Sequence, residues 1–256
     1  MGLFDFLRKT EQTEQKTVTE GEPTEKYLGD LTKTDLIDKL VSTPKENRNE
    51  NWTKQFLSAI PKASFRCSNP QIVTGPDGFP YFQLLLPEPR VGFQCFVIDK
   101  MKDDFLLQNG FGVVINPTST NADWVLSYGD ILNYHLNKVF YSSDSLFSNE
   151  TKDEVIKEKE EVMIGQPSET ILPKMTRNLL RTFLERNGVE SPKILLMMRK
   201  NGETVTQDLV FNIVPENFEN VNTHRTVMQS LAWYLPRHYS FVGTDEETFK
   251  KSFLPL

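Results

Sequence analysis

The order of patterns in residues 165–256 constrains the fold of this chain more than any other feature. Apolar residues recur there at steps of three, four and four: Leu172, Met175, Leu179 and Phe183. This spacing predicts an amphipathic helix that Ser168 caps and that Asn187-Gly188 ends. The segment from Met163 to Glu169 is expected to lead into that helix.

A hairpin and a second helix are predicted next. Residues 194–198 are apolar on both faces, which is typical of a central strand. Asn201-Gly202 predicts a tight reversal, because a type I′ turn needs positive φ at both central positions. An alternating strand over 204–213, a helix over 222–235 and a strand over 239–242 complete the unit. The result is an α+β fold with a mainly antiparallel sheet and helices packed largely on one face.

The first half predicts a second α+β domain whose elements follow a similar order. Helices are expected over 31–40, 52–60, 102–107 and from Asp130 onward, and strands over 63–67, 81–86, 93–98, 112–115 and 124–127. Pro76-Asp77-Gly78 predicts a turn, since Pro presets φ and Gly tolerates positive φ. The shared order makes a distant structural repeat a hypothesis, although the two halves share no side-chain pattern.

These patterns divide the chain into four segments. Residues 1–26 are expected to be a flexible tail, because residues 10–26 are too poor in apolar groups to offset the entropy lost on ordering. Residues 27–146 form the first α+β domain, and residues 147–164 form a charge-dense linker. Residues 165–256 form the second domain, so two α/β-sandwich-type domains are expected.

Composition limits the partners and the compartment. The 256 residues carry a net charge of −6, which argues against non-specific binding to nucleic acid. Cys67 and Cys95 lie far apart, so they predict free, half-buried thiols in a reducing compartment. No stretch approaches the roughly 20 apolar residues that span a bilayer. A cytoplasmic protein without an integral membrane segment is therefore expected.

The segment Met1–Lys9 has a short apolar pattern with two interpretations. Its apolar part is too short for a signal peptide, and its basic residues follow the apolar part instead of preceding it. Four of its residues can share one helical face: Leu3, Phe4, Phe6 and Leu7. That face suits a frayed terminus packed on the protein itself, or weak docking onto a membrane or a partner.

Short motifs and the order of elements resemble a known family. Gly165-Gln-Pro-Ser-Glu169, the hairpin after it and the ending around Phe253-Leu-Pro255 resemble the C-terminal domain of the SseB family, bacterial proteins associated with enhanced serine sensitivity. Gly112-Val-Val-Ile-Asn-Pro117 resembles a strand of the family's N-terminal domain. The resemblance spans residues 50–256 and implies two α+β domains. The family has no established catalytic residues, so none is transferred to this chain.

No recognisable catalytic motif accompanies this pattern, and no cofactor or metal is expected. The histidines share no metal-ligand spacing, and the chain has no P-loop, nucleophile elbow or zinc-protease motif. An aromatic-edged ligand pocket is predicted from Asn116, Trp124, Tyr128, Asp130, Tyr134 and His135. A partner-docking face is predicted from Lys174, Arg177 and Arg181, although such a stripe also fits an ordinary solvated helix.

Three hypotheses of function follow. The preferred one is a non-enzymatic protein that presents an interaction surface or regulatory pocket to a protein partner or small ligand. The second is an enzyme with a dispersed site, for example Asp130, Tyr134 and His135, whose turnover would be lost in His135→Ala. The third is a toxin-neutralising immunity protein, since such proteins are also acidic and poor in motifs. A toxin gene immediately upstream would support the third hypothesis.

Overall fold

A computed structural model describes residues 28–118, 121–143, 145–148, 161–249 and 252–256. These residues form two mixed β-sheets, each with its own helices. Five of the seven strand pairs among these residues are antiparallel. The α+β fold with mainly antiparallel sheets is therefore confirmed. The predicted tail and most of the predicted linker lie outside the described residues.

The first sheet has the strand order β1-β2-β3-β4 and is built by the first half of the chain. Its elements are α1 (Leu31–Val41), α2 (Glu50–Ala59), β1 (Arg66–Thr74), β2 (Pro80–Leu85), α3 (Ile98–Met101), a π-helical turn (Lys102–Leu106), α4 (Leu107–Asn109), β3 (Gly112–Ile115), β4 (Trp124–Leu126) and α5 (Tyr128–Asn137). The predicted turn between β1 and β2 is present, and Gly78 takes a φ of 84° there. Such a left-handed conformation favours glycine.

The second sheet has the order β5-β6-β7-β8, and β9 pairs with the end of β6. Its elements are β5 (Glu161–Gly165), α6 (Lys174–Arg186), β6 (Lys193–Asn201), β7 (Thr204–Phe211), α7 (Val221–Tyr234), β8 (Phe241–Gly243) and β9 (Leu254–Pro255). The predicted hairpin joins β6 and β7, with Asn201 paired to Thr204. Its two loop residues are Gly202 and Glu203, and of these only Gly202 has positive φ. The predicted type I′ geometry is therefore wrong, although the reversal is confirmed.

The two halves share one connectivity. In each, a helix leads into an antiparallel hairpin, a second helical segment follows, and a third strand pairs parallel with the second strand of the hairpin. The series α2-β1-β2-α3-α4-β3 thus corresponds to α6-β6-β7-α7-β8. The two halves therefore share the pairing of their strands as well as the order of elements that suggested a repeat.

Helix α6 begins five residues later than the sequence predicts, because its N-cap is Pro173 and not Ser168. Ser168 forms a turn, in which its carbonyl accepts the N–H groups of Ile171 and Leu172, and Pro173 then takes extended backbone with ψ 151°. Because a proline disfavours helical geometry in the residue before it, the helix starts at Lys174. The segment from Met163 to Gly165, expected to lead into this helix, lies in β5 instead.

Two predictions in the first half are also wrong. Residues 93–98 do not form a strand, because only Phe96 pairs with a neighbour, Phe65, before α3 begins. Asp130 does not start α5: Ser127 caps the helix, and Asp130 is its third residue and completes a reciprocal capping box.

The hydrophobic cores of the two halves meet. One large cluster lies between the first sheet and its helices, and a second lies between the second sheet and α6 and α7. Trp233 of α7 belongs to the first cluster, and Met175 and Leu179 of α6 pack against it. On α6, the residues that face its own sheet are Leu180, Phe183 and Leu184. Helix α6 therefore has two apolar faces, one for each half of the chain.

Candidate functional site

The six residues of the predicted ligand pocket lie in three separate places. Asn116 directly follows β3, and Trp124 is the first residue of β4. Both side chains stabilise the local structure. The Asn116 side chain accepts the Leu86 N–H at 2.9 Å and donates to Asp123 at 2.9 Å. The Trp124 indole donates to the Tyr141 hydroxyl at 3.2 Å, and its ring packs against two aromatic rings of α2.

Tyr128 and Asp130 join the two halves of the molecule. The Tyr128 hydroxyl lies 2.9 Å from the Thr176 hydroxyl of α6, and both side chains are buried. The Asp130 carboxylate, which is 0% exposed, accepts two hydrogen bonds from the Arg237 guanidinium at 2.8 and 2.9 Å. These bonds raise the pKa of Arg237. A bidentate pair of this kind fixes orientation as well as distance, so it aligns the two halves.

Trp233 strengthens the same interface. Its ring stacks on Phe79 with centroids 4.3 Å apart, and its indole N–H donates to the Tyr81 hydroxyl at 2.9 Å. Burial raises the pKa of Tyr81, which in turn donates to Asp77. The amphipathic pattern of α7 did not reveal this role, because Trp233 lies two residues after Leu231 and therefore faces away from the core of its own half.

Tyr134 and His135 form a polar cluster with residues around the π-helical turn. The buried Lys102 ammonium lies 2.6 Å from the Asp103 carboxylate and 3.2 Å from Asp99. Tyr134 donates to Asp99 at 3.1 Å, and His135 Nδ1 lies 2.8 Å from Asp103. Desolvation of Asp103 opposes its ionisation, but the bonds from Lys102 and His135 outweigh it and lower the pKa of Asp103. Sequence patterns gave no sign of Lys102 as the centre of this cluster.

The predicted docking face on α6 is largely engaged in structural bonds. Arg177 donates to the carbonyls of Leu172 and Pro167, and desolvation lowers the pKa of Arg177. Arg181 donates to the carbonyl of Leu256 at 3.0 Å, which ties α6 to the last residue of the chain. Lys174 is exposed. A docking role for this helix thus remains a prediction that depends on Lys174.

A cavity of about 240 Å³ lies beside the loop that follows β2, and sequence analysis did not identify it as a site. It is lined by Arg66, Cys67, Glu88, Val91, Gly92, Phe93 and Gln94. Val91 is 54% exposed and Phe93 36% exposed, so the loop presents apolar surface to solvent. Cys67 is free and half-buried, as the sequence predicts. We call residues 88–94 the apolar loop.

The apolar loop is fixed where it meets the sheet. Arg66 donates to the Leu86 carbonyl at 3.1 Å and bonds the Glu88 carboxylate at 2.7 Å. At the other end, Phe65 and Phe96 exchange two backbone hydrogen bonds of 2.9 and 2.8 Å. Between them, Arg90 takes a φ of 65°, which a residue with a side chain rarely adopts. Hydrogen bonds therefore anchor the loop at both ends, and the backbone is locally strained at Arg90 between them.

Comparisons with protein families, with curated proteins and with solved structures found no match to this chain. Among the described residues, none of the helices has the length and apolar character that crossing a bilayer requires.

Proposed function

We propose that the protein is a non-enzymatic binding module whose apolar loop receives an apolar segment of a protein partner. The exposure of Val91 and Phe93 beside a cavity carries this proposal. Aromatic side chains at the edge of a cavity are typical anchors of protein interfaces. The Arg66–Glu88 pair at the same cavity offers a donor and an acceptor that can orient a peptide backbone.

Preorganisation of the loop supports a binding role. Ordering a flexible loop on binding costs free energy, and a loop already fixed at both ends avoids much of that cost. Strain such as that at Arg90 costs about 1–3 kcal/mol and is found preferentially at functional sites. The loop follows directly on β2, an internal strand of the first sheet, which gives it a stable support.

Co-purification from native lysate tests this proposal. Truncating an interface anchor costs about 2 kcal/mol or more, so the double variant Val91→Ser, Phe93→Ser is expected to lose a specific partner by at least about tenfold. The matched control is Val242→Ser, which changes an exposed apolar residue on β8. Recovery of the same partner in equal amount with the double variant would refute the proposal, as would recovery of none with the wild type.

A second candidate is an enzyme that uses His135 as a general base. The observation that favours it is the contact between Asp103 and His135 Nδ1, since a carboxylate at one ring nitrogen orients the other for proton transfer. An activity screen checks this, with turnover expected to vanish in His135→Ala while the circular dichroism spectrum stays unchanged. Turnover that survives this substitution would exclude a catalytic role for His135.

We also propose that the protein is a member of the SseB family and that it is cytoplasmic. The motifs around Gly165 and Gly112 support the kinship, and two free cysteines support a reducing compartment. A toxin-neutralising role is one form of the binding function, and co-purification with a toxin through the apolar loop would identify it.

A further inference from the structure

The four edges of the two sheets differ in how they are protected against pairing with another strand. Edge strands expose unpaired backbone groups, which proteins shield by short length, proline, bulges or charge. The register of β1 is broken between Cys67 and Ile72, and Pro70 lies in the break. Strands β4 and β8 are only three residues long. These three edges are protected.

The edge formed by β5 has neither proline nor a bulge, and its one charged residue, Glu161, is at the end of the strand. Strand β5 pairs with β6 over five residues without a register shift and contains no proline. Met163 is 55% exposed and Ile164 39% exposed. They are consecutive, so they project to opposite faces of the sheet. Strand β9 continues the same edge of β6 with the exposed Leu254.

We propose that two copies of this chain associate through antiparallel pairing of β5 with β5, which joins the two second-half sheets across a twofold axis. An interface with this symmetry must be self-complementary, because each copy contributes the same patch. Pairing centred on Met163 places Met163 opposite its counterpart and Val162 opposite Ile164 of the other copy. A β-branched pair opposite each other stabilises an antiparallel ladder.

The position of the one charged residue of β5 suits this register. Glu161 lies opposite Gly165 of the other copy, so the two glutamates are at opposite ends of the shared ladder and like charges do not face each other. A Cβ built at Gly165 would meet no described atom within 4 Å outside its two chain neighbours, so the face of the sheet is open at this position. A ladder of five residues is a small interface, so we expect a reversible dimer that forms in the micromolar range.

Analytical ultracentrifugation across a concentration series tests the dimer. Met163→Lys places two ammonium groups opposite each other and is expected to weaken association at least tenfold. Val242→Lys adds the same charge to the other edge of the sheet and should leave association unchanged. A wild type that stays monomeric up to about 1 mM would overturn the proposal. Unchanged association of Met163→Lys would do the same.

Disulfide trapping tests the register independently of the lysine variant. Directly opposed residues of antiparallel strands have Cα atoms about 4.5–5.5 Å apart, which suits a disulfide. In a Cys67→Ser, Cys95→Ser background, Met163→Cys is expected to form a covalent dimer on mild oxidation, and Val242→Cys is not. Equal cross-linking of both variants, or none with Met163→Cys, would refute pairing about Met163.

Discussion

Replacement of Gly129 by alanine tests how tightly the two halves are joined. Gly129 is in the first turn of α5, and a Cβ at this position would lie 1.9 Å from the carbonyl oxygen of Leu235, at the end of α7. Real Cβ atoms essentially never approach another heavy atom more closely than 3.0 Å. The obstacle is backbone, so relief requires α5 and the end of α7 to separate by about 1 Å.

The energetic effect follows from that displacement. Overpacking of this kind costs about 1–3 kcal/mol. The same movement lengthens the bonds between Asp130 and Arg237, two residues beyond Leu235, and a weakened buried hydrogen bond adds about 1–2 kcal/mol. With roughly 2–4 °C per kcal/mol for a chain of this size, a total cost of about 2–5 kcal/mol is expected to lower the melting temperature of Gly129→Ala by roughly 4–20 °C.

Thermal unfolding followed by circular dichroism and tryptophan fluorescence measures this effect. Gly92→Ala is the matched control, because no described atom outside its two chain neighbours lies within 4 Å of the position that its Cβ would take. The double variant Gly129→Ala, Arg237→Ala should lose less free energy of unfolding than the two single variants lose together, because both substitutions weaken the contact between Asp130 and Arg237. A melting temperature of Gly129→Ala within about 2 °C of the wild type would refute the inferred close contact.

Three further predictions concern single residues. Trp233→Phe keeps the apolar ring but removes the donor to Tyr81, so urea unfolding should show a loss of about 1–2 kcal/mol, and an unchanged midpoint would contradict a role for that bond. Gly202→Ala forces a side chain into left-handed backbone at φ 64° and should cost about 1–2 kcal/mol in the same assay; a neutral result would mean that the turn rearranges. Burial lowers the pKa of His238, so the folded state binds fewer protons than the unfolded state. The free energy of unfolding should therefore fall as pH decreases below 6.5, and His238→Gln should reduce that slope, whereas an equal slope in both proteins would refute the assignment.

The sequence alone determined those features whose cause is local. The turn at Gly78, the reversal at Gly202 and the end of α6 at Gly188 were predictable because positive φ favours glycine. Helices α1, α2 and α7 were also predictable, because the spacing of their apolar residues follows the helical period. The start of α6 was predictable in principle from Pro173, whose effect on the preceding residue is local too.

Tertiary structure decided what the apolar and charged residues contact. The pattern on α6 identified Met175 and Leu179 as buried, but only the fold places them against the other half of the chain. The contact of Asp130 with Arg237 joins residues that are far apart in sequence, and so does that of Trp233 with Tyr81. The exposure of Phe93 on the apolar loop and of Met163 on β5 likewise depends on how distant segments pack. Periodicity reports which side of an element is apolar, whereas the partner of that side depends on how distant segments pack.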